Sequence, residues 1–143
     1  MKKLLSLALT LLLSLGLSVP SSASDMGVVG SYTTVSTGSG ITAAIKSDNS
    51  LWMWGTNNNY QLGNGGAGND NYGNGNTPYP IQTVPIKIMD NVASVSCGTF
   101  HAAAIKTDGS LWTWGWGANG ELGDGSTGYN HYITTPQKIM DNV

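Results

Sequence analysis

Several groups of residues in this chain carry side chains able to do chemistry. Cys97 and His101 stand close enough in sequence for a thiol and an imidazole to share one face, the pairing that activates a nucleophile. No Asn or Asp is placed to orient the imidazole, and a small buried cysteine acting as apolar filler is the favoured reading. His131 lies apart between Tyr129 and Tyr132, and two histidines in separate settings do not make a metal site. Residues 65–73 read GGAGNDNYG, which fits the calcium-binding nonapeptide with Asp70 as its carboxylate. Calcium needs six to eight oxygens and this motif supplies them by stacking consecutive turns, so a single copy reads as a solvated loop. Trp116 is different. It sits between Gly115 and Gly117 past the end of an apolar stretch, with Asn119, Tyr129 and Tyr132 nearby. An exposed indole there could stack on a sugar or anchor a protein partner. The plainer reading, which is favoured, has it folding back over its own hairpin or covering the next repeat. Tyr60, beside Asn57, Asn58 and Asn59, offers a weaker surface of the same type.

The carboxylates argue against acid–base catalysis. Asp48 and Asp108, like Asp90 and Asp141, fall at equivalent places in two nearly identical stretches, whereas a catalytic site is normally single. AAIKSDNSLWMWG at 43–55 returns as AAIKTDGSLWTWG at 103–115, and IKIMDNV at 86–92 returns as QKIMDNV at 137–143. Such self-similarity marks a repeat architecture in which one unit cannot bury its apolar faces alone.

Each unit reads as short strands joined by tight turns. Residues 41–46 or 101–106 form one strand. Asp108-Gly109, with Asp48-Asn49 as its weaker counterpart, is expected to place positive φ at both central residues of a hairpin turn. The returning strand, 51–54 or 111–114, is apolar on both faces and must therefore be covered on both sides, by sheets stacked on sheets. A glycine-punctuated segment follows, with Leu62 or Leu122 as its inward anchor. A loop longer by nine residues in the first repeat then leads to Pro85 or Pro136 and a closing strand, 86–89 or 137–140.

The Trp54-Gly55-Thr56-Asn57…Gln61-Leu62-Gly63-Asn64-Gly65 run and its counterpart Trp114-Gly115…Gly120-Glu121-Leu122-Gly123-Asp124-Gly125 resemble the repeat of the regulator of chromosome condensation. Cys97-Gly98-Thr99-Phe100-His101 and Asp108-Gly109 match the same pattern. The resemblance implies an all-β fold of β-propeller blades, four antiparallel strands to a repeat and about seven blades to a ring. Ile41 stands where the pattern has His, Gly117 where it has Asn, and Tyr60 where it has Gly. The expected organisation is a segment 1–23, a linker or strand at 24–34, blade 1 at 35–92 with its long loop at 63–84, and blade 2 at 93–143. Two blades make an incomplete ring. The favoured expectation is a fragment of a longer chain, the runner-up a complete subunit that builds a ring by head-to-tail self-association.

Lys2 and Lys3, an uncharged Leu-rich run to Val19 and a small-residue exit read as a signal peptide cleaved after Ala23. The apolar run falls short of the roughly 20 residues that span a bilayer, so the membrane is met only through export. The remainder holds four lysines, no arginine and eight carboxylates, the wrong electrostatics for a phosphate backbone, which sets nucleic acid aside. One cysteine excludes a disulfide framework. The expected function is a secreted, non-enzymatic module for a protein or glycan partner, without cofactor, in the manner of secreted relatives that the resemblance links to enzyme inhibition. The alternative is part of a secreted hydrolase or lyase whose catalytic residues lie mostly elsewhere. Nucleotide exchange on a small GTPase fits an exported acidic chain poorly.

Overall fold

The structure, a computed structural model, describes residues 31–66 and 81–143. The export segment with Ala23, and Asp70 of the nonapeptide, lie outside the described residues. Eight strands follow in order: β1 (Tyr32–Thr37), β2 (Ile41–Lys46), β3 (Leu51–Thr56), β4 (Ile81–Met89), β5 (Val92–Cys97), β6 (His101–Lys106), β7 (Leu111–Trp116) and β8 (Tyr132–Met140). They form two four-stranded antiparallel meanders, β1-β2-β3-β4 and β5-β6-β7-β8. These are the two expected blades. The meander gathers the β1–β2 and β3–β4 connections, and their blade 2 equivalents, at one end. The β2–β3 turns and the β4–β5 link occupy the other.

The β2–β3 turns depart from the expected type. Positive φ occurs at Asn49 (62°) and Gly109 (80°) but not at Asp48 or Asp108. Asn49 N donates to Lys46 O and Lys46 N to Ser50 O, a type I turn followed by one left-handed residue. The reason is chemical. Asp48 Oδ1 accepts from Ser50 N (3.0 Å) and Oγ (2.5 Å), and Ser50 Oγ accepts from Trp52 Nε1 (2.8 Å). Asp108, Ser110 and Trp112 repeat this relay at 2.9, 2.6 and 2.8 Å. A three-residue loop lets the carboxylate turn back on the backbone, which a two-residue turn would not. The closing strands are also longer than expected, running from Ile81 and Tyr132 through Pro85 and Pro136. Both prolines sit in the outermost strand of their sheet, where a missing N–H breaks no further ladder, and the pairing with β3 and β7 shifts register there.

The core lies between the blades, with β5 running beside β1 and β2. From blade 1, Ala43, Ile45, Leu51 and Met53 are completely covered, and from blade 2 Ala102, Ala104 and Trp114. Leu62 and Leu122 are also fully buried, as the sequence led one to expect. One tight fit is at Trp114. Its indole N–H donates to Gln61 O across the interface (3.0 Å). The ring lies so near Gly63 that a Cβ there would stand 2.7 Å from Trp114 Cδ1, and Gly63 has φ +68°. No side chain fits between turn and indole, so the glycine is what permits the contact. Cys97 N donates to Ser36 Oγ (3.0 Å), Gly65 N to Thr134 O (3.0 Å) and Val92 N to Asn49 O (2.8 Å), which fixes the blade-to-blade register along its length.

Candidate functional site: the loop end of blade 2

The two ends of the meanders differ in chemistry. All four lysines among the described residues lie toward the β2–β3 end, and each has a local partner. Lys87 pairs with Asp90 at 2.7 Å and Lys138 with Asp141 at 2.5 Å. Lys46 and Lys106 lie over the rings of Trp52 and Trp112, 4.1 and 5.3 Å from the centroids. The opposite, loop end carries, among the described residues, Glu121, Asp124, His101, His131, Tyr60, Tyr129 and Tyr132, and no lysine.

Trp116 ends β7 at that end. Its Nε1–H donates to Tyr129 O at 2.7 Å. Its ring meets the Phe100 ring edge-on at 5.6 Å and the Tyr129 ring at 5.8 Å. The indole thus folds back over its own blade and is half-buried. Its covering, however, is the surface-facing Tyr129, 68% exposed. Blade 1 has Gly40 and Thr56 where blade 2 has Phe100 and Trp116, so the cluster belongs to blade 2 alone. Phe100 was not anticipated from the sequence; the signal was its bulk at a turn position where the other repeat has glycine.

The remaining candidates separate. Tyr60 and Tyr132 meet edge-on at 5.3 Å, joining the two blades. Tyr60 holds φ 57°, a left-handed conformation that costs a tyrosine about 1–2 kcal/mol and is glycine's in the equivalent Gly120. Trp116 and Tyr132 are cross-strand partners, which sets the two aromatic groups side by side. Asn119, exposed, is engaged by its own turn: its N and Nδ2 donate to Glu121 Oε2 and Oε1 at 2.8 and 2.9 Å. The Asn119 amide foremost, then backbone N–H groups, hold the Glu121 carboxyl below the usual range. Asn57 and Asn59, read as surface, are buried. Asn57 Oδ1 accepts from Leu62 N (3.0 Å) and its Nδ2 donates to Asn64 Oδ1 (3.0 Å), holding the glycine-rich turn from within.

That last pair explains an irregular position. Gly117 replaces Asn57 in blade 2, and a Cβ there would stand 2.6 Å from Leu122 Cδ1 and 2.9 Å from His131 Cδ2. The His131 ring fills the place of the missing amide. Its Nε2 lies 2.9 Å from Asp124 Oδ2, as Asn57 Nδ2 lies against Asn64. The atoms are within ion-pair distance but make no hydrogen bond, and Nε2 has no hydrogen-bond partner among the described residues. His131 thus ties the β7–β8 loop to the turn it covers.

Nucleophile chemistry gains no support. Cys97 Sγ faces Ser36 O at 3.7 Å, and burial pushes the thiol above its ordinary range, against what a reactive thiolate requires. Among the described residues, no three His, Cys, Asp or Glu side chains gather as metal ligands. No helix among them is long and apolar enough to cross a membrane.

Known proteins supply the frame for this geometry. The chain is 38% identical over 126 residues to the mitochondrial RCC1 domain-containing protein RUG3 of Arabidopsis thaliana, covering 88% of this chain and 26% of that protein. It is 38% identical over 86 residues to the probable human E3 ubiquitin-protein ligase HERC6, covering 60% of this chain and 7% of that one. Among solved structures, yeast RCC1 (Prp20) bound to Kap60 superposes with a TM-score of 0.64 at 18% identity, over 77% of this chain and 25% of that one. A second Prp20p structure from Saccharomyces cerevisiae gives 0.62 at 20% identity, over 77% and 26%. The chain thus spans about a quarter of the length of RUG3 and of Prp20. Models of the regulator of chromosome condensation (RCC1) repeat match residues 48–105 and 108–143, and again 32–61 and 92–121. The two four-stranded meanders are what those matches cover, and the chain belongs to the RCC1 repeat family.

Proposed function

We propose that the chain is an exported, non-enzymatic interaction module that receives a protein partner on the loop end of blade 2. The observation that carries this reading is the Phe100–Trp116–Tyr129 cluster, which the blade does not need, since blade 1 closes the same corner with Gly40 and Thr56. Tyr129 and the Trp116 edge offer apolar area with polar tips, the composition of interface anchors. With Glu121 and Asp124 at the same end and no lysine there among the described residues, the surface suits a neutral or basic partner. A protein is favoured over a glycan because the Trp116 ring is half-buried and already in edge contact with Phe100 and Tyr129. The solved relative is in complex with Kap60, and another report on Prp20p concerns its binding to Gsp1p and histones, which supports a protein-binding role by kinship. Export rests on the residue pattern of 1–23.

The test is site-specific photo-cross-linking. A benzophenone side chain at position 129 should trap a protein from the medium in which the chain is secreted, and one at position 108 should not. Equal capture from both positions, or none from 129, overturns the reading.

A further inference from the structure

Blade 2 differs from blade 1 at one corner by a linked set of exchanges. Gly40, Thr56 and Asn57 become Phe100, Trp116 and Gly117. Ile81 and Tyr132 are the matched starts of the closing strands, so Pro80 stands in sequence where blade 2 has His131. Phe100 and Trp116 make the aromatic cluster, which leaves Gly117 and His131 to be explained. Gly117 holds no positive φ, so its backbone does not call for glycine. Room does. A Cβ at Gly117 would stand 2.6 Å from Leu122 Cδ1 and 2.9 Å from His131 Cδ2. The His131 ring enters the hollow that the absent side chain leaves, with Asp124 Oδ2 2.9 Å from its Nε2. That nitrogen is already shut off from solvent, and every one of these contacts lies within blade 2.

The backbone leading into that ring carries Tyr129. Gly128 N donates to Ala118 O (2.9 Å), His131 N to Gly128 O (3.0 Å), Gly117 N to His131 O (3.0 Å) and Trp116 Nε1 to Tyr129 O (2.7 Å). Three of these bonds hang the Tyr129 turn from residues 116–118, and the fourth closes the turn on itself. From this we infer that His131 is the positioning residue of the Tyr129 turn: its ring, seated in the hollow at Gly117 and held beside Asp124, sets where Tyr129 stands against Trp116. The inference rests on the loop-end reading and deepens it, since it assigns the glycine and the imidazole to the recognition surface. Blade 1 shows the alternative. There the Asn57 amide holds the glycine-rich turn from within, through Leu62 N and Asn64 Oδ1. An amide at position 117 would do the same for blade 2, but it would occupy the hollow and leave the Tyr129 turn without its side-chain anchor.

The experiment is hydrogen exchange at the Trp116 Nε1–H, read by NMR on the full chain, because that proton reports the Tyr129 carbonyl and needs no partner. Gly117→Asn with His131→Ala gives the glycine-rich turn the amide it has in blade 1 and removes the ring. If His131 only fills space, this pair restores everything. Positioning instead produces a split. Stability in urea should stay close to that of the unaltered chain, while the Trp116 Nε1–H exchanges about tenfold faster and benzophenone capture at position 129 falls. His131→Phe keeps a ring in the hollow and should hold the Trp116 exchange within about threefold of the unaltered chain, whereas His131→Ala should not. That comparison at one site decides the question if the double variant fails to fold. Unchanged Trp116 exchange in His131→Ala, or in a folded double variant, overturns the inference. Equal loss in His131→Phe and His131→Ala overturns it as well. A chain whose Trp116 exchange responds as expected, but which captures nothing at position 129 before any substitution, supports the positioning of the turn and overturns the loop-end reading.

Discussion

Blade 1 and blade 2 carry nearly the same sequence, yet matching residues sit in opposite surroundings. Ala43, Ile45 and Leu51 are completely buried, while Ala103, Ile105 and Leu111 are only half-covered. Across the sheet the order reverses: Trp114 is sealed and Trp54 is not. Val92 is buried where Val143 is 53% exposed, although Val143 N donates to Gly109 O just as Val92 N donates to Asn49 O. Local conformation is therefore set within each repeat, by turns and relays that recur. Burial is set by the neighbour. A repeat in this fold is a complete shape and an incomplete core.

Substitutions at matched positions break that comparison most sharply. Trp114→Ala should cost about 3–5 kcal/mol in urea unfolding, since it empties the interface and orphans Gln61 O. Trp54→Ala should cost about 1–2 kcal/mol, because its ring is already partly wet. Equal losses would contradict the asymmetry. Gly63→Ala combines a 2.7 Å approach to a rigid indole with a left-handed backbone, and about 2–4 kcal/mol is expected. Gly123→Ala meets only the backbone penalty, about 1 kcal/mol.

Much of this was legible in the residues. The duplicated Leu-Trp-x-Trp strand, apolar on both faces, announced stacked sheets, and Leu62 and Leu122 announced themselves as anchors. What could not be read was which tryptophan would be covered, because Trp54 and Trp114 hold the same place in a Leu-Trp-x-Trp-Gly run and burial depends on what lies across the interface. Asp48-Asn49 misled for a local reason: the serine two residues on recruits the aspartate and selects a longer turn. Of the candidate site, Trp116, Tyr129, Tyr132 and Tyr60 do come to the loop end. Asn119 is spent on Glu121, and Phe100 was passed over because its partner Trp116 lies a whole hairpin away.

A third contrast concerns Asn57 against the Gly117–His131 pair. Gly117→Asn alone should lower stability by about 1–3 kcal/mol, since the new side chain meets His131 and Leu122. Gly117→Asn combined with His131→Ala should regain most of that loss, as the amide resumes the role it has in blade 1. Additive losses would show that His131 does not occupy the amide's place.

The smallest effect concerns what the blades share. Hydrogen bonds from Ser50 and Ser110 hold the Asp48 and Asp108 carboxyls below the ordinary aspartate range. A carboxyl with a depressed folded value stabilises above its unfolded pKa, about 3.9, and loses that contribution as pH falls through the folded value. Acid unfolding should thus begin only below about pH 4 on their account. Ser50→Ala with Ser110→Ala should shrink the loss in that window, equally for both blades.

Hydrogen exchange at the indole nitrogens tests the central claim most directly, read by NMR. The Trp114 Nε1–H, closed between Gln61 O and Gly63, should exchange at least a hundredfold more slowly than the Trp54 Nε1–H. Equal rates, or a slower Trp54, would contradict an interface built by one blade's tryptophan entering the turn of the blade before it.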